Sequence, residues 1–211
     1  MMKAVIFDFD GTLIDNMRLH YESFQQALGK RLKISERDLY MREGGRTLEI
    51  ITDMTRNLSL DSYEIERIIE EKKRLYVEMA QGLKLRPEAL TLISDLKGRG
   101  LLIGLATGSH RSALLPHMGP QENALFDYII TGDETQKPKP HPEPYIRCAQ
   151  GLSVRPEECV VVENAPLGIE SAKGAGMKCI ALTSTMRRED LGRADFIIGG
   201  LGEVLGIIRK L

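Results

Sequence analysis

The stretch that decides the fold is Lys3-Ala4-Val5-Ile6-Phe7-Asp8-Phe9-Asp10-Gly11-Thr12. Ala4 to Phe7 are consecutive apolar residues of strand-forming type, the pattern of a strand buried on both faces. That strand runs straight into two carboxylates with only Phe9 between them. Alternate side chains of a strand point the same way, so Asp8 and Asp10 begin on one face, close together and partly desolvated, where each opposes the other's charge. Something must stabilise the pair.

Working outward, short apolar runs recur after residue 100, at 101–106, 128–131, 159–162, 179–182 and 196–198, and each reads as a strand. Helical segments fall between them: 87–97 with Pro87 in its first turn, 142–150, 167–175 and 201–210. The alternation predicts an α/β fold, a doubly wound and mostly parallel Rossmann-like sheet whose ligands gather at the carboxyl ends of the strands. Residues 15–83 break the rhythm, with several helical patterns and no strand. They read as an α-helical insertion after the first strand, leaving 1–14 and 84–211 as the core. The last inserted helix, 61–81, has an expected N-cap at Asp61 with Glu64 three residues on, and a stripe of Ile65, Ile68, Ile69, Tyr76 and Met79. Lys72 falls within that stripe. Either its stem covers apolar surface while the ammonium reaches water, or the middle of the stripe faces a cleft.

Composition narrows the partners. With 211 residues and 42% apolar content the chain can build a real core, and 29 basic against 30 acidic residues, without a run of five like charges, offer no field for nucleic acid or an anionic membrane. Cys148, Cys159 and Cys179 lie far apart and outside any CxxC spacing, which fits reduced core residues of a cytoplasmic protein rather than disulfides or a zinc site. No stretch has the apolar length of a membrane span. A monomer acting on a small molecule is the expectation.

The expected strand ends carry Asp8 and Asp10, then Thr107-Gly108-Ser109, then the Lys137 loop within Lys137-Pro138-Lys139-Pro140-His141-Pro142, then Glu163-Asn164. Carboxylates, a hydroxyl beside a glycine amide, a lysine on a proline-stiffened loop and a further acid are the parts of a site for a divalent cation and a phosphoryl group. A hard cation such as Mg²⁺ takes oxygen ligands and would relieve the acidic repulsion. A carboxylate can attack phosphorus, and a second acid nearby can protonate the leaving alkoxide.

DFDGTLID, LATGS, KPKP and VVVENAPLGIESAKGAGM together resemble the four ordered motifs of the haloacid dehalogenase superfamily. The insertion is similar to the small helical cap of its subfamily I, which holds β-phosphoglucomutases and sugar and glycolate phosphatases. The resemblance implies Asp8 as nucleophile and Asp10 as acid/base with a backbone carbonyl on the metal. It also implies Thr107, Gly108 and Lys137 around the phosphoryl group, and Asp8, Asp10, Glu163 and Asn164 around Mg²⁺. In the cap and the facing loop it implies substrate roles for His20, Arg46, Lys72, Ser109, His110 and Arg111, although His20 also fits an ordinary half-buried helix histidine. Two departures stand out: Asn164 where the family has aspartate, and His141 where aspartate commonly follows KPxP. The implied activity is hydrolysis of a small phosphorylated metabolite, with a phosphomutase of the β-phosphoglucomutase type as alternative. A signalling receiver is disfavoured by the order of its acids and its lack of an insertion, a non-catalytic module by the presence of Asp8, Asp10 and Lys137, and dehalogenation by the idle acids it would leave.

Overall fold

In the computed structural model, which describes residues 2–114 and 116–211, the opening apolar run is a strand with every residue fully buried. The strands are β1 (Ala4–Phe7), β2 (Leu102–Ala106), β3 (Tyr128–Ile130), β4 (Cys159–Glu163), β5 (Lys178–Leu182) and β6 (Phe196–Ile198). They form one sheet in the order β3-β2-β1-β4-β5-β6, with every pairing parallel. The order reverses its sense between β1 and β4. Loops leaving these two strands diverge to opposite sides and open a crevice at their carboxyl ends. Asp8 stands at the tip of one and Glu163 at the tip of the other.

Helices α1 (Met17–Leu28), α2 (Glu36–Tyr40), α3 (Thr47–Met54) and α4 (Ser62–Met79) lie between β1 and α5 (Pro87–Lys97). Then come α6 (Arg111–Leu114), α7 (Pro120–Asn123), α8 (Glu143–Gly151), α9 (Pro166–Gly174) and α10 (Val204–Ile208). Both faces of the sheet are covered. Val5, Phe7, Ile103 and Leu105 pack on Ala89, Leu92, Ile93 and Leu96 of α5, while Ala4, Ile6, Val161 and Cys179 pack on Tyr145 and Cys148 of α8 and on Ile169 of α9. The second cluster continues into Phe24, Leu28 and Ile68, so the inserted helices share apolar packing with the sheet. All three cysteines are free and buried in this core, as their spacing suggested.

The expected elements recur with small shifts. Pro87–Lys97 is a helix over its full expected length because Pro87, lacking an N–H, costs nothing in the first turn. Asp61 caps α4: its carboxylate accepts from Glu64 N at 2.8 Å and Glu64 returns the bond to Asp61 N. The run expected at 201–210 is instead a short 3₁₀ turn at Leu201–Glu203 followed by α10. No helix among the described residues is long and apolar enough to cross a membrane.

Candidate active site

The end of β1 separates its two acids by a turn. Asp8 is the last residue in the ladder, its N–H donating to Val162 O at 3.0 Å. Gly11 then takes φ +76°, and its N–H is held by Asn16 Oδ1 at 3.1 Å. A Cβ at Gly11 would lie 2.4 Å from Asn164 Nδ2, so the turn needs glycine for both its backbone sign and its clearance. The carboxylates of Asp8 and Asp10 therefore meet different neighbours.

Asp8 faces the core. Its Oδ1 accepts from Lys139 Nζ at 2.6 Å, and the same ammonium donates to Glu163 Oε1 at 2.8 Å. Tyr145 also donates to Glu163 Oε1, at 3.0 Å, and its ring lies 4.8 Å from Lys139 Nζ. The other oxygen, Glu163 Oε2, accepts from the N–H groups of Asn164 and Ala165. Burial alone disfavours a charge on Lys139, but Asp8 and Glu163 outweigh it and hold the ammonium charged far above the ordinary lysine range. For Asp8 burial wins: its pKa rises to about 8, with Glu163 and Asp10 adding to the rise and Lys139 opposing it. Asp8 Oδ2 has no hydrogen-bond partner among the described residues.

Asp10 faces the inserted helices. Its Oδ1 accepts from Asn16 Nδ2 at 2.5 Å and His20 Nε2 at 3.2 Å, and its Oδ2 accepts from Ser109 Oγ at 2.6 Å. Burial works against ionisation, yet His20 and the hydrogen bonds from His20, Ser109 and Asn16 together hold its carboxyl well below the usual range. His20 is itself pushed below 6.5, first by burial and then by Lys72, so near neutrality it is a neutral imidazole. One tautomer satisfies the contacts to Asp10 and Lys72: Nε2–H donates to Asp10, and Nδ1 accepts from Lys72 Nζ at 3.0 Å. Behind them, Asn16 Nδ2 donates to Tyr76 Oη at 2.7 Å, Tyr76 donates to His117 Nε2, and His117 Nδ1–H donates to Leu83 O. A buried chain of hydrogen bonds thus ties Asp10 to α4 and to the segment that leads back to the core.

Several expected residues converge here. Thr107 is buried at the end of β2 with Oγ1 accepting from Ser109 N, and Gly108 follows it beneath the inserted loop. Lys72 is 5% exposed, with its Nζ over the rings of Phe24 and Tyr76, so the middle of the stripe faces the pocket rather than the outer surface. His110 lines the pocket described below. Others are placed elsewhere. Lys137 is exposed, and the lysine between Asp8 and Glu163 is Lys139. The sequence contains KPxP twice, at Lys137 and again at Lys139, and Glu143 decides between them by accepting from the N–H groups of Gln136 and Lys137, which fixes residue 137 at the outer edge. With the motif at Lys139, the acid after KPxP is Glu143, and His141 stands at the variable position. The expected departure at His141 disappears. Arg46 does not line the pocket; its guanidinium binds the carbonyls of Gly132, at 3.1 Å, and Thr135. Arg111 is exposed and paired with Glu134 at 2.9 Å. Asn16, Tyr76 as a hydrogen-bonding group, Tyr145 and Glu43 join the site without a motif of their own in the sequence; only the place of Asn16 at the start of α1, just after DFDGTLID, carries a local signal.

The inserted loop at residues 43–45 closes over these groups. Gly44 takes φ +92°, and a Cβ there would lie 3.0 Å from Lys139 Cδ; a Cβ on Gly108 would lie 2.5 Å from Gly44 O. Between this loop, α1, α4 and residues 108–113 lies a pocket of about 190 Å³.

The oxygen donors suit a hard cation in part. Asp8 Oδ2 is unclaimed in a buried region where carboxylates outnumber Lys139, which favours a cation there. Glu163 has both oxygens engaged by protein donors, and Asn164 Oδ1 accepts from Thr12 Oγ1 at 2.9 Å while Nδ2 donates to Thr185. Among the described residues no group of three or more His, Cys, Asp or Glu side chains converges as a metal cage. An ion here would have to be one that accepts few carboxylates and keeps waters, as Mg²⁺ does.

The model of the haloacid dehalogenase-like hydrolases matches residues 5–182, from β1 through β5. The chain belongs to that family. A phosphorylated carbohydrates phosphatase of Thermotoga maritima is 32% identical over 185 residues, covering 85% of this chain and 84% of the relative. A crystal structure of β-phosphoglucomutase from Clostridium difficile superposes with a TM-score of 0.88 at 26% identity, covering 100% of this chain and 96% of that one. CbbY from Rhodobacter sphaeroides, in complex with xylulose-(1,5)bisphosphate, gives 0.80 at 28% identity over 96% of each chain. The protein is thus an enzyme of the haloacid dehalogenase-like phosphatase type, its fold shared with phosphomutases of the same family.

Proposed function

We propose that the protein is a Mg²⁺-dependent phosphatase of the cytoplasm that hydrolyses a small phosphorylated metabolite, of the carbohydrate phosphate type, through an aspartyl phosphate on Asp8. The observation that carries this reading is the asymmetry of Asp8, with one oxygen pinned by Lys139 at 2.6 Å and the other free of hydrogen bonds at the sheet's switch point. The similarity to a phosphorylated carbohydrates phosphatase supports the substrate class.

Lys139 keeps Asp8 oriented and favours its charged form. Asp8 attacks phosphorus, the bond from phosphorus to the ester oxygen breaks, and that oxygen takes a proton from Asp10. Water then attacks the phosphoryl group on Asp8, gives its proton to Asp10, and phosphate leaves with the Asp8 carboxylate restored. In the resting site Asp10 is a carboxylate suited to the base step; an approaching phosphate dianion would raise its pKa toward the acid role. The Thr107 hydroxyl and neighbouring amides are the donors available to the phosphoryl oxygens. Asp8, the Asp10 carbonyl and Asn164 Oδ1 are the groups that would hold Mg²⁺, which when bound supplies positive charge to the phosphoryl oxygens.

Phosphate release from a panel of phosphate esters, with and without Mg²⁺, tests the reading, and release independent of Mg²⁺ would count against it. The likeness to β-phosphoglucomutase favours a mutase as the second reading. Glucose 1-phosphate given a trace of the 1,6-bisphosphate separates the two: free phosphate supports hydrolysis, whereas glucose 6-phosphate without free phosphate establishes the mutase.

A further inference from the structure

The pocket beside Asp10 holds an acid that neither half of the chemistry uses. Glu43 precedes the Gly44-Gly45 pair that closes over Lys139 and Gly108, and it lines the pocket with His20, Lys72, Ser109 and His110. Its carboxylate has no hydrogen-bond or ion-pair partner among the described residues.

None of the cations around it bonds its carboxylate. Lys72 donates to His20 Nδ1 and lies over two aromatic rings. Lys73 pairs with Glu70 at 2.8 Å, Arg111 with Glu134 at 2.9 Å, and Arg46 is spent on the carbonyls of Gly132 and Thr135. A leaving group entering this pocket beyond Ser109 therefore meets two carboxylates, Glu43 and Asp10, against one buried ammonium, Lys72, so the balance of charge around it is negative.

We infer that Glu43 sets the specificity of the site, accepting hydrogen bonds from hydroxyls of a neutral polyol leaving group and rejecting leaving groups that carry a carboxylate or a second phosphate. Hydroxyls can satisfy the unpaired oxygens. An anionic group would be desolvated against Glu43 and Asp10, or would force a proton onto one of them, and either raises the cost of binding. Specificity then comes from a repulsive element as much as from an attractive one. The inference rests on the phosphatase reading and extends it.

The test compares kcat/KM for sorbitol 6-phosphate and fructose 1-phosphate with that for 2-phosphoglycolate and fructose 1,6-bisphosphate, using p-nitrophenyl phosphate with Mg²⁺ as an independent check of hydrolysis. Wild-type protein should favour the neutral monoesters by at least about tenfold, and Glu43→Gln should compress that ratio about tenfold, chiefly by lowering KM for the anionic esters. Glu43→Ala should compress it too, with a higher KM for the polyol esters because the acceptor is gone. The wild-type ratio needs no variant to fold: a preference for the acidic esters overturns the inference. A ratio unchanged in a folded variant overturns it as well. If p-nitrophenyl phosphate and every other ester are inert, the phosphatase reading fails and the inference falls with it, whereas turnover of p-nitrophenyl phosphate with the opposite ratio removes the inference alone.

Discussion

The two halves of the site each bury a lysine, and burial has opposite consequences in them. Lys139, at the core end of the sheet, lies between Asp8 and Glu163 and is held charged far above the lysine range. Lys72, in the inserted helix α4, has only a neutral imidazole and two rings as close partners, and burial lowers it to about 8. The same side chain is a fixed counter-ion on one side of the crevice and a titratable group on the other. What differs is whether a carboxylate bonds the ammonium directly: Asp8 and Glu163 do so at Lys139, whereas Asp10 and Glu43 oppose the fall at Lys72 only from a distance and do not overcome burial.

The most severe way to break the core half is Asp8→Asn. It keeps the shape and removes the attacking charge, so turnover should fall by more than about 10⁴-fold. Retained activity in a folded Asp8→Asn protein would refute the nucleophile assignment.

Next comes Lys139→Met, which leaves Asp8 and Glu163 uncompensated in the interior. A loss of ~3–5 kcal/mol in stability is expected, together with loss of turnover, because breaking a buried pair exposes the remaining charges to the full desolvation cost. Lys137→Met, two residues away at the surface, should change neither by more than about twofold in rate or ~0.5 kcal/mol in unfolding free energy. Urea titration and steady-state rates of the two variants, side by side, would reverse the lysine assignment if Lys137→Met proved the damaging one.

Lys72→Met breaks the other half differently. Because the folded pKa of Lys72, about 8, lies below its unfolded value of 10.5, the unfolded chain binds more protons between those values, and the contribution of Lys72 to stability rises with pH across that window. Below pH 8 both states carry the charge and the folded state bears the cost of burying it. Wild-type protein should therefore be less stable than Lys72→Met at pH 7, by ~1–3 kcal/mol, with the gap closing by pH 10. Parallel urea midpoints at pH 7 and pH 10 would contradict the lowered pKa.

The difference between the two lysines also marks what the sequence could reveal. Apolar runs bounded by glycines and prolines fixed the expected strands to within a residue or two, because a strand buried on both faces has few alternatives to an unbroken apolar pattern. Asp8, Asp10, Thr107 and Glu163 were legible as strand ends, since the parallel sheet dictates where such ends gather. The choice between Lys137 and Lys139 was not, because both stand in the same KPxP context and the deciding contact is the bond from Glu143 to the backbone of residues 136 and 137. Lys72 is ambiguous for a related reason: periodicity puts it in the buried stripe of α4 but says nothing of His20, 52 positions away, whose Nδ1 accepts its hydrogen bond. Arg46 reads as a phosphate ligand by resemblance, whereas its donors close on carbonyls of a loop nearly ninety residues on.

The smallest expected effect sharpens the comparison at Asn164, on the core side. Its amide serves as neutral scaffolding, accepting from Thr12 Oγ1 at 2.9 Å and donating to Thr185 Oγ1 at 3.0 Å. Asn164→Asp keeps the first bond as a charged acceptor and adds negative charge where only Lys139 balances Asp8 and Glu163. Without a cation the variant should be less stable by ~1 kcal/mol, through repulsion that the amide avoids. With Mg²⁺ that same charge becomes a ligand, so half-saturation should move to about tenfold lower Mg²⁺, read as the concentration dependence of the thermal midpoint and not as turnover. The two shifts have opposite signs in one protein, which separates an electrostatic effect from a packing defect. An unchanged Mg²⁺ titration would show that Asn164 lies outside the ion's reach and would leave Asp8 Oδ2, at the tip of β1, as the oxygen on the core side still free to take it.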